Sequence, residues 1–194
     1  SGQLRMAVIP TALTWASRVA TRFSAKHPKV RFKIQSRSSA EILKLLDNLE
    51  IDVGISYLDN EPLGRVSTAP LYQENYMLVC GKGSEFAARD HVTWADLRDQ
   101  KLCLLTQDMQ NRRIIDRNFA DFDIELSPAI EANSTVVLVS NVMHGDWLTI
   151  LPEDLANFLI AYSASETSQL LFASTRIFIA LGPVFTTSEI RAMS

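Results

Sequence analysis

The 194 residues carry 19 Lys or Arg against 22 Asp or Glu, a formal charge of −3, and 47% of them are hydrophobic. This is the balance of a soluble globular chain with core enough to fold without disulfide or metal staples. No block of Lys or Arg stands above that background, so the counterion release that drives nucleic-acid binding has no evident source and the chain is not expected to hold DNA by itself.

Residues 4–9 read as a buried strand ended by Pro10 and Thr11. Ala12, Trp15, Ala16, Val19, Ala20 and Phe23 then recur at helical spacing, and the helix stops at His27 because Pro28 disfavours helical geometry in the residue before it. Val30, Phe32 and Ile34 alternate with Arg31, Lys33 and Gln35, the period of a strand with one wet face. Ser38 and Glu41 form a capping box ahead of Ile42, Leu45, Leu46 and Leu49, so a second helix opens there. The apolar run at 51–57 fits a strand covered on both faces. Strand, helix, strand, helix, strand implies parallel pairing with right-handed crossovers.

A Pro- and Gly-containing turn at 61–64 precedes strand-like stretches at 66–71 and 76–80. A short helix over 94–98 is capped by Thr93. The plan then begins again: a strand at 101–105, the polar turn Thr106-Gln107-Asp108, and a helix carrying Ile114, Ile115 and Phe119. Residues 129–132 give another strand, Asn133 and Ser134 a cap, and 135–143 a helix whose Leu138, Val139, Val142 and Met143 keep helical spacing, stopped by His144 and Gly145. A strand at 147–151 is closed by Pro152. The longest apolar stretch, 169–185, is broken by Ser174, Thr175 and Arg176, and no charged-then-apolar opening segment is present. Neither a membrane span nor a signal peptide is expected.

Chemistry has few anchors in this pattern. His27, His91 and His144 share no ligand spacing with one another or with Cys80 and Cys103, so no metal site is expected. Both cysteines sit in apolar runs and read as small buried hydrophobes, a usage that suits a reducing compartment. Gly81-Lys82-Gly83-Ser84 lacks the spacing of a phosphate loop and reads as a turn. No nucleophile elbow, dinucleotide fingerprint or locally paired carboxylates occur, so neither catalysis nor a cofactor is expected. What recurs is a polar signal at strand-to-helix turns: Thr11, Ser36 and Ser38, then Thr106 and Gln107, then Asn133, Ser134 and Thr135. Singly these are ordinary caps. Together they fit an open parallel sheet, where helix N-termini at the carboxyl ends of the strands aim unpaired N–H groups at a ligand.

In this order the motifs resemble the effector-binding region of LysR-type transcriptional regulators. The stretches that carry the likeness are Leu-Arg-Met-Ala-Val-Ile-Pro-Thr at 4–11, Phe-Ser-Ala-Lys-His-Pro-Lys-Val at 23–30, Glu-Ile-Leu-Lys-Leu-Leu at 41–46, Ile-Asp-Val-Gly-Ile at 51–55 and Pro-Leu-Tyr-Gln-Glu at 70–74. Later come Glu-Ala-Asn-Ser at 131–134 and Leu-Thr-Ile-Leu-Pro-Glu-Asp-Leu-Ala at 148–156. The match covers residues 3 to about 156 and then thins; 169–173 and 176–180 stand where the family has its last two strands, and 188–193 where it has a closing helix.

The resemblance implies an α/β, two-lobed fold like that of type 2 periplasmic binding proteins, each lobe a mainly parallel sheet flanked by helices, joined by two crossover strands. One lobe would hold residues 1–73 and 168–194, the other 74–167. Effector contacts carry over to Thr11, Ser38, Thr106, Gln107, Asn133, Ser134 and Thr135, and more loosely to Tyr57. The implied partners are a small molecule or small anion and further copies of the chain, as a homodimer, with a tetramer for the full-length protein. Trp15 and Val19 would serve the dimer or, more simply, pack on their own sheet. DNA would be bound only through an N-terminal winged helix-turn-helix that these residues do not contain, and the location would be cytoplasmic. The alternatives are a transporter's solute-binding protein or a transferase on the same scaffold.

Overall fold

The computed structural model describes residues 2–58, 64–163 and 167–181. Along the chain it divides into two compact units, Ser1–Gln73 with Arg176–Ser194, and Glu74–Thr175. Two long strands pass from one unit to the other: β4 (Ser67–Gly81) and β8 (Thr167–Leu181).

In the first unit β1 (Gly2–Val8) lies between β2 (Val30–Ser36) and β3 (Val53–Ser56) and runs parallel to both. Beyond β3, β8 pairs antiparallel. Between β1 and β2 the chain passes through a 3-10 turn, Pro10–Ala12, and α1 (Leu13–Lys26), which buries Ala16 and Val19 against the sheet. Val19 therefore serves its own core, and half-buried Trp15 stacks on Tyr72 at 5.8 Å. The capping box of α2 (Ser39–Asp47) is present as the spacing requires: Ser38 Oγ accepts from the Glu41 N–H, and the Glu41 carboxylate accepts from the Ser38 N–H at 2.9 Å. α2 buries Ile42, Leu43 and Leu46, each such side chain contributing roughly 1.5–3 kcal/mol. All four residues of β3 are buried, in keeping with cover on both faces. β2 departs from strict alternation, because Ile34 is exposed while Gln35 is half-buried on this outermost strand. Arg5 and Asp52 tie β1 to the entry of β3 through two side-chain bonds and a backbone bond, and that guanidinium holds the Asp52 carboxyl below the usual range.

In the second unit β4 pairs antiparallel with β7 (Thr149–Pro152), while β5 (Cys103–Leu105) and β6 (Ile130–Ala132) pair parallel. A parallel bridge from Leu102 to Leu148 joins the two pairs. α3 (Gln110–Ala120) links β5 to β6, and α4 (Thr135–His144) leads from β6 towards β7. The core gathers Met77, Val79, Leu105, Leu138, Val142 and Leu151. The Thr93 capping box opens only a 3-10 turn, Trp94–Leu97.

Four features differ from the sequence reading. The stretches 66–71 and 76–80 are one strand, β4, and the expected final pair at 169–173 and 176–180 is also one strand, β8; polar residues such as Gln73 and Ser174 interrupt the hydrophobic pattern without ending the strand. The expected lobe return at 168 falls inside β8, whereas the units divide at Thr175–Arg176. α5 (Glu153–Ser163) follows Pro152 directly and was not foreseen. Gly145 ends α4 in extended backbone, and its role is close approach: a Cβ there would meet the Trp147 ring at 2.7 Å. Of the expected turn at 61–64 only Gly64 is described, and the closing helix at 188–193 lies outside the described residues.

The end of α2 supplies a test of these local arguments. The Glu50 N–H reaches the Leu45 carbonyl and the Leu49 N–H the Leu46 carbonyl, which is a Schellman closure with Leu49 at the left-handed position, φ 58°. An exposed leucine there bears a steric cost that glycine avoids. Leu49→Gly is expected to raise unfolding stability by about 1 kcal/mol, read by urea denaturation; a loss of stability would contradict the cap assignment.

Candidate functional site

Because β1, β2 and β3 are parallel, the chain leaves all three at the same end of the sheet. The Arg37 N–H donates to the Val8 carbonyl at 3.0 Å and the Ile9 N–H to the Ile55 carbonyl at 3.1 Å. These bonds align the turns that carry Thr11, Ser38 and Tyr57. Thr11 is 1% exposed, and its hydroxyl has no hydrogen-bond partner among the described residues. An unsatisfied buried hydroxyl is costly, so its presence needs a reason. Ser38 is different: its hydroxyl accepts from the Glu41 N–H and donates to the Glu41 carboxylate at 2.9 Å. A carboxylate thus already occupies the start of α2. Tyr57 is fully buried and already has a partner. Ser56 and Ser39, absent from the sequence reading, join hydroxyls at 2.8 Å in the interior behind this turn.

The second unit repeats the device at the carboxyl ends of β5 and β6. Leu105 pairs with Ala132, and the Thr106 N–H donates to the Ala132 carbonyl at 3.1 Å, which sets Thr106 and Gln107 beside Asn133, Ser134 and Thr135. The Thr106 hydroxyl is buried without a partner among the described residues. Ser134 stands at the N-cap of α4 but makes no capping bond, so the expected Asn133–Ser134 cap is one of position only. The first N–H groups of α4 are therefore unsatisfied by side chains, at the end where the helix dipole is positive. Gln107 and Asn133 are exposed, Ser134 is half-buried and Thr135 is buried. Each unit brings its own set of expected residues together.

Residues 1–164 match the LysR substrate binding domain family. The chain belongs to that family. It is 21% identical over 141 residues to a probable nitrogen assimilation transcriptional activator of Synechocystis, covering 72% of this chain and 46% of that protein. It is 30% identical over 122 residues to the HTH-type transcriptional regulator SsuR of Burkholderia cenocepacia, covering 61% of this chain and 39% of the other. The LysR-type chain thus spans less than half the length of these relatives. The regulatory domain of Synechocystis CcmR, solved in complex with 2-PG, shares its fold with a TM-score of 0.84 at 17% identity, over 100% of this chain and 96% of that one. This is the effector-binding domain of a LysR-type regulator, of the two-lobed α/β class that the motif order implied.

Sequence reasoning missed a buried and heavily engaged charge of this LysR domain. Arg112, 1% exposed on α3, donates through Nε to Asp116 at 2.6 Å and through Nη1 to the Leu105 carbonyl and to Glu131. Burial opposes its charge, but the Asp116 and Glu131 carboxylates outweigh that and hold the guanidinium above its ordinary pKa. It pins α3 to the exit of β5 and to β6, and so fixes the Thr106 turn. Arg112, Asp116 and Ala120 also form one wall of a groove of about 510 Å³ that Gln107 and residues 123–126 complete. Asp116, Asp123 and Glu125 make that groove acidic, unsuited to an anion.

No group of His, Cys, Asp or Glu among the described residues could hold a metal, and all three histidines are exposed. Cys80 and Cys103 are fully buried. Burial pushes the Cys103 thiol up to about 11, against a smaller opposing pull from the Thr149 hydroxyl. Because the thiolate is the reactive form, at pH 8 the native protein is expected to leave Cys103 unalkylated by iodoacetamide for hours, while urea-unfolded protein reacts within minutes. Rapid labelling of folded protein at Cys103, read by peptide mass spectrometry, would contradict its burial.

Proposed function

We propose that the domain senses a small anionic or polar metabolite through Thr11 and the Ser38 turn of the first unit, with Tyr57 behind them, and through Thr106, Gln107, Asn133, Ser134 and Thr135 of the second. It transforms nothing. The observation that carries this reading is the buried, unpartnered Thr106 hydroxyl beside the uncapped start of α4: a donor, an acceptor and positive helix-end N–H groups await one ligand and include no group able to move a proton at neutral pH. The 2-PG complex of the CcmR domain supports a ligand of this size and polarity.

An effector held at these turns can shift the protein between conformations only by its difference in affinity for them, commonly about 1–3 kcal/mol. In the full-length regulator, a cytoplasmic homodimer or tetramer, that difference would reset the spacing of N-terminal DNA-binding heads on two half-sites. The regulator names of the relatives favour this over the transporter and transferase alternatives.

A thermal-shift panel of small carboxylates and phosphate esters, at fixed pH and salt, tests the reading. A true effector at about 100 times its Kd contributes roughly 2.7 kcal/mol to the folded state. Thr106→Ala is expected to abolish most of that stabilisation and Thr11→Ala to weaken it, with little change in unliganded Tm. Full stabilisation of both variants by the same compound would refute the site.

A further inference from the structure

Arg112 is not the only polar side chain that α3 buries. Asn111, one residue before it on the helix's first turn, is 3% exposed. It lies three and four residues ahead of Ile114 and Ile115, so it continues the core-facing stripe that they and Phe119 form. An apolar side chain would fill that position without any hydrogen-bonding requirement. An amide brings two donor hydrogens and an acceptor oxygen that must be matched.

The amide nitrogen is accounted for. Asn111 Nδ2 donates to the hydroxyl of Tyr76, itself buried, at 3.3 Å, which ties the start of α3 to β4. The oxygen is not: Asn111 Oδ1 is buried and has no hydrogen-bond partner among the described residues. A structural role for the Tyr76 bond therefore explains half of the side chain and leaves an unsatisfied acceptor, which is costly in an interior.

Strand register places that acceptor within the second unit. From the parallel Leu102–Leu148 bridge the chain runs four residues to Thr106 and four to Pro152, so these two stand level at the carboxyl end of the sheet. Pro152 pairs in turn with Tyr76. Asn111 thus reaches from the Thr106 turn to Tyr76 across the ends of neighbouring strands. The Thr106 N–H is held by the Ala132 carbonyl and its carbonyl accepts from the Met109 N–H at 3.0 Å. Its hydroxyl lacks a partner among the described residues. Two helices start at this end without side-chain caps, α3 after Met109 and α4 after Ser134.

We propose that Asn111 Oδ1 is the specificity-determining acceptor of the effector site, selecting an anion that carries a hydroxyl or ammonium donor beside its charged group. The inference rests on the effector site proposed above for the second unit. Uncapped helix starts favour the negative group but do not distinguish one small anion from another. A carbonyl oxygen held in place by Tyr76 does: it gains a bond from a hydroxyl or ammonium and stays unpaired against an analogue lacking one. The Thr106 hydroxyl can donate or accept and so discriminates less.

Two series of probes of matched shape differ at one carbon only: propionate, lactate and alanine, then succinate, malate and aspartate. Titration calorimetry at fixed pH and salt measures each against the chain. In at least one series the hydroxyl or the ammonium member is expected to bind about tenfold more tightly than the unsubstituted anion, and which one does so identifies the donor. Asn111→Leu should reduce that preference to within about twofold while binding the unsubstituted anion as the parent does. Equal binding of all three members in both series, no binding at all included, overturns the inference, as does a preference that survives in Asn111→Leu. Melting of the ligand-free proteins tests a purely structural role: Asn111→Leu should melt no lower than the parent, and a marked fall overturns the inference too. If Thr106→Ala weakens all members alike while no preference depends on Asn111, only this inference fails. If Thr106→Ala changes nothing, the effector site itself fails.

Discussion

Parallel hydrogen bonding between neighbouring strands is the constraint on which the site depends. Once β2 and β3 are registered on β1, the turns after all three must emerge at one end of the sheet, and β5 with β6 imposes the same rule on the second unit. Every following helix then begins at that end, with its unsatisfied N–H groups and positive dipole. Hydroxyl and amide side chains placed at those turns need no further machinery to recognise a small polar molecule. The two sets are not equivalent. Glu41 already supplies a carboxylate to the start of α2, whereas α4 begins without any side-chain cap. An anion finds its stronger welcome at the second.

At the turns the recognising groups are neutral side chains and helix-end N–H groups. Arg112 is not among them. Its bonds to Asp116, Glu131 and the Leu105 carbonyl hold α3 and β6 in the positions that place Thr106 beside the start of α4.

Much of the architecture was legible because local signals agreed with one another. The Ser38–Glu41 box, the helical spacing from Leu138 to Met143 and the apolar run at 51–57 each specify one element, and all three form as read. Where the signal is only hydrophobicity, it misleads: polar residues interrupt the apolar pattern within β4 and β8 without ending either strand, and Pro152 closes β7 but leads directly into α5. The polar turns were legible as a set, but not which hydroxyls stay free. That Ser38 is consumed by its cap, and that Ser134 makes no capping bond, depends on rotamers and backbone angles. The ties of Arg112 to Leu105 and Glu131, 7 and 19 residues away, depend on tertiary placement that spacing does not reveal. The eight Lys or Arg of residues 1–40, with no acid among them, stand out in the sequence against the expectation of no basic block, and the net charge averages over that segregation.

Backbone amide chemical shifts, followed by nuclear magnetic resonance while the most stabilising small anion of the thermal panel is added, test the central claim most directly. The account predicts that the largest changes fall on the amides of Thr135, Val136 and Val137 and of Thr106 and Gln107, with smaller ones near Thr11. Changes concentrated along the acidic groove of Asp116, Asp123 and Glu125, or spread without focus over both units, would contradict it.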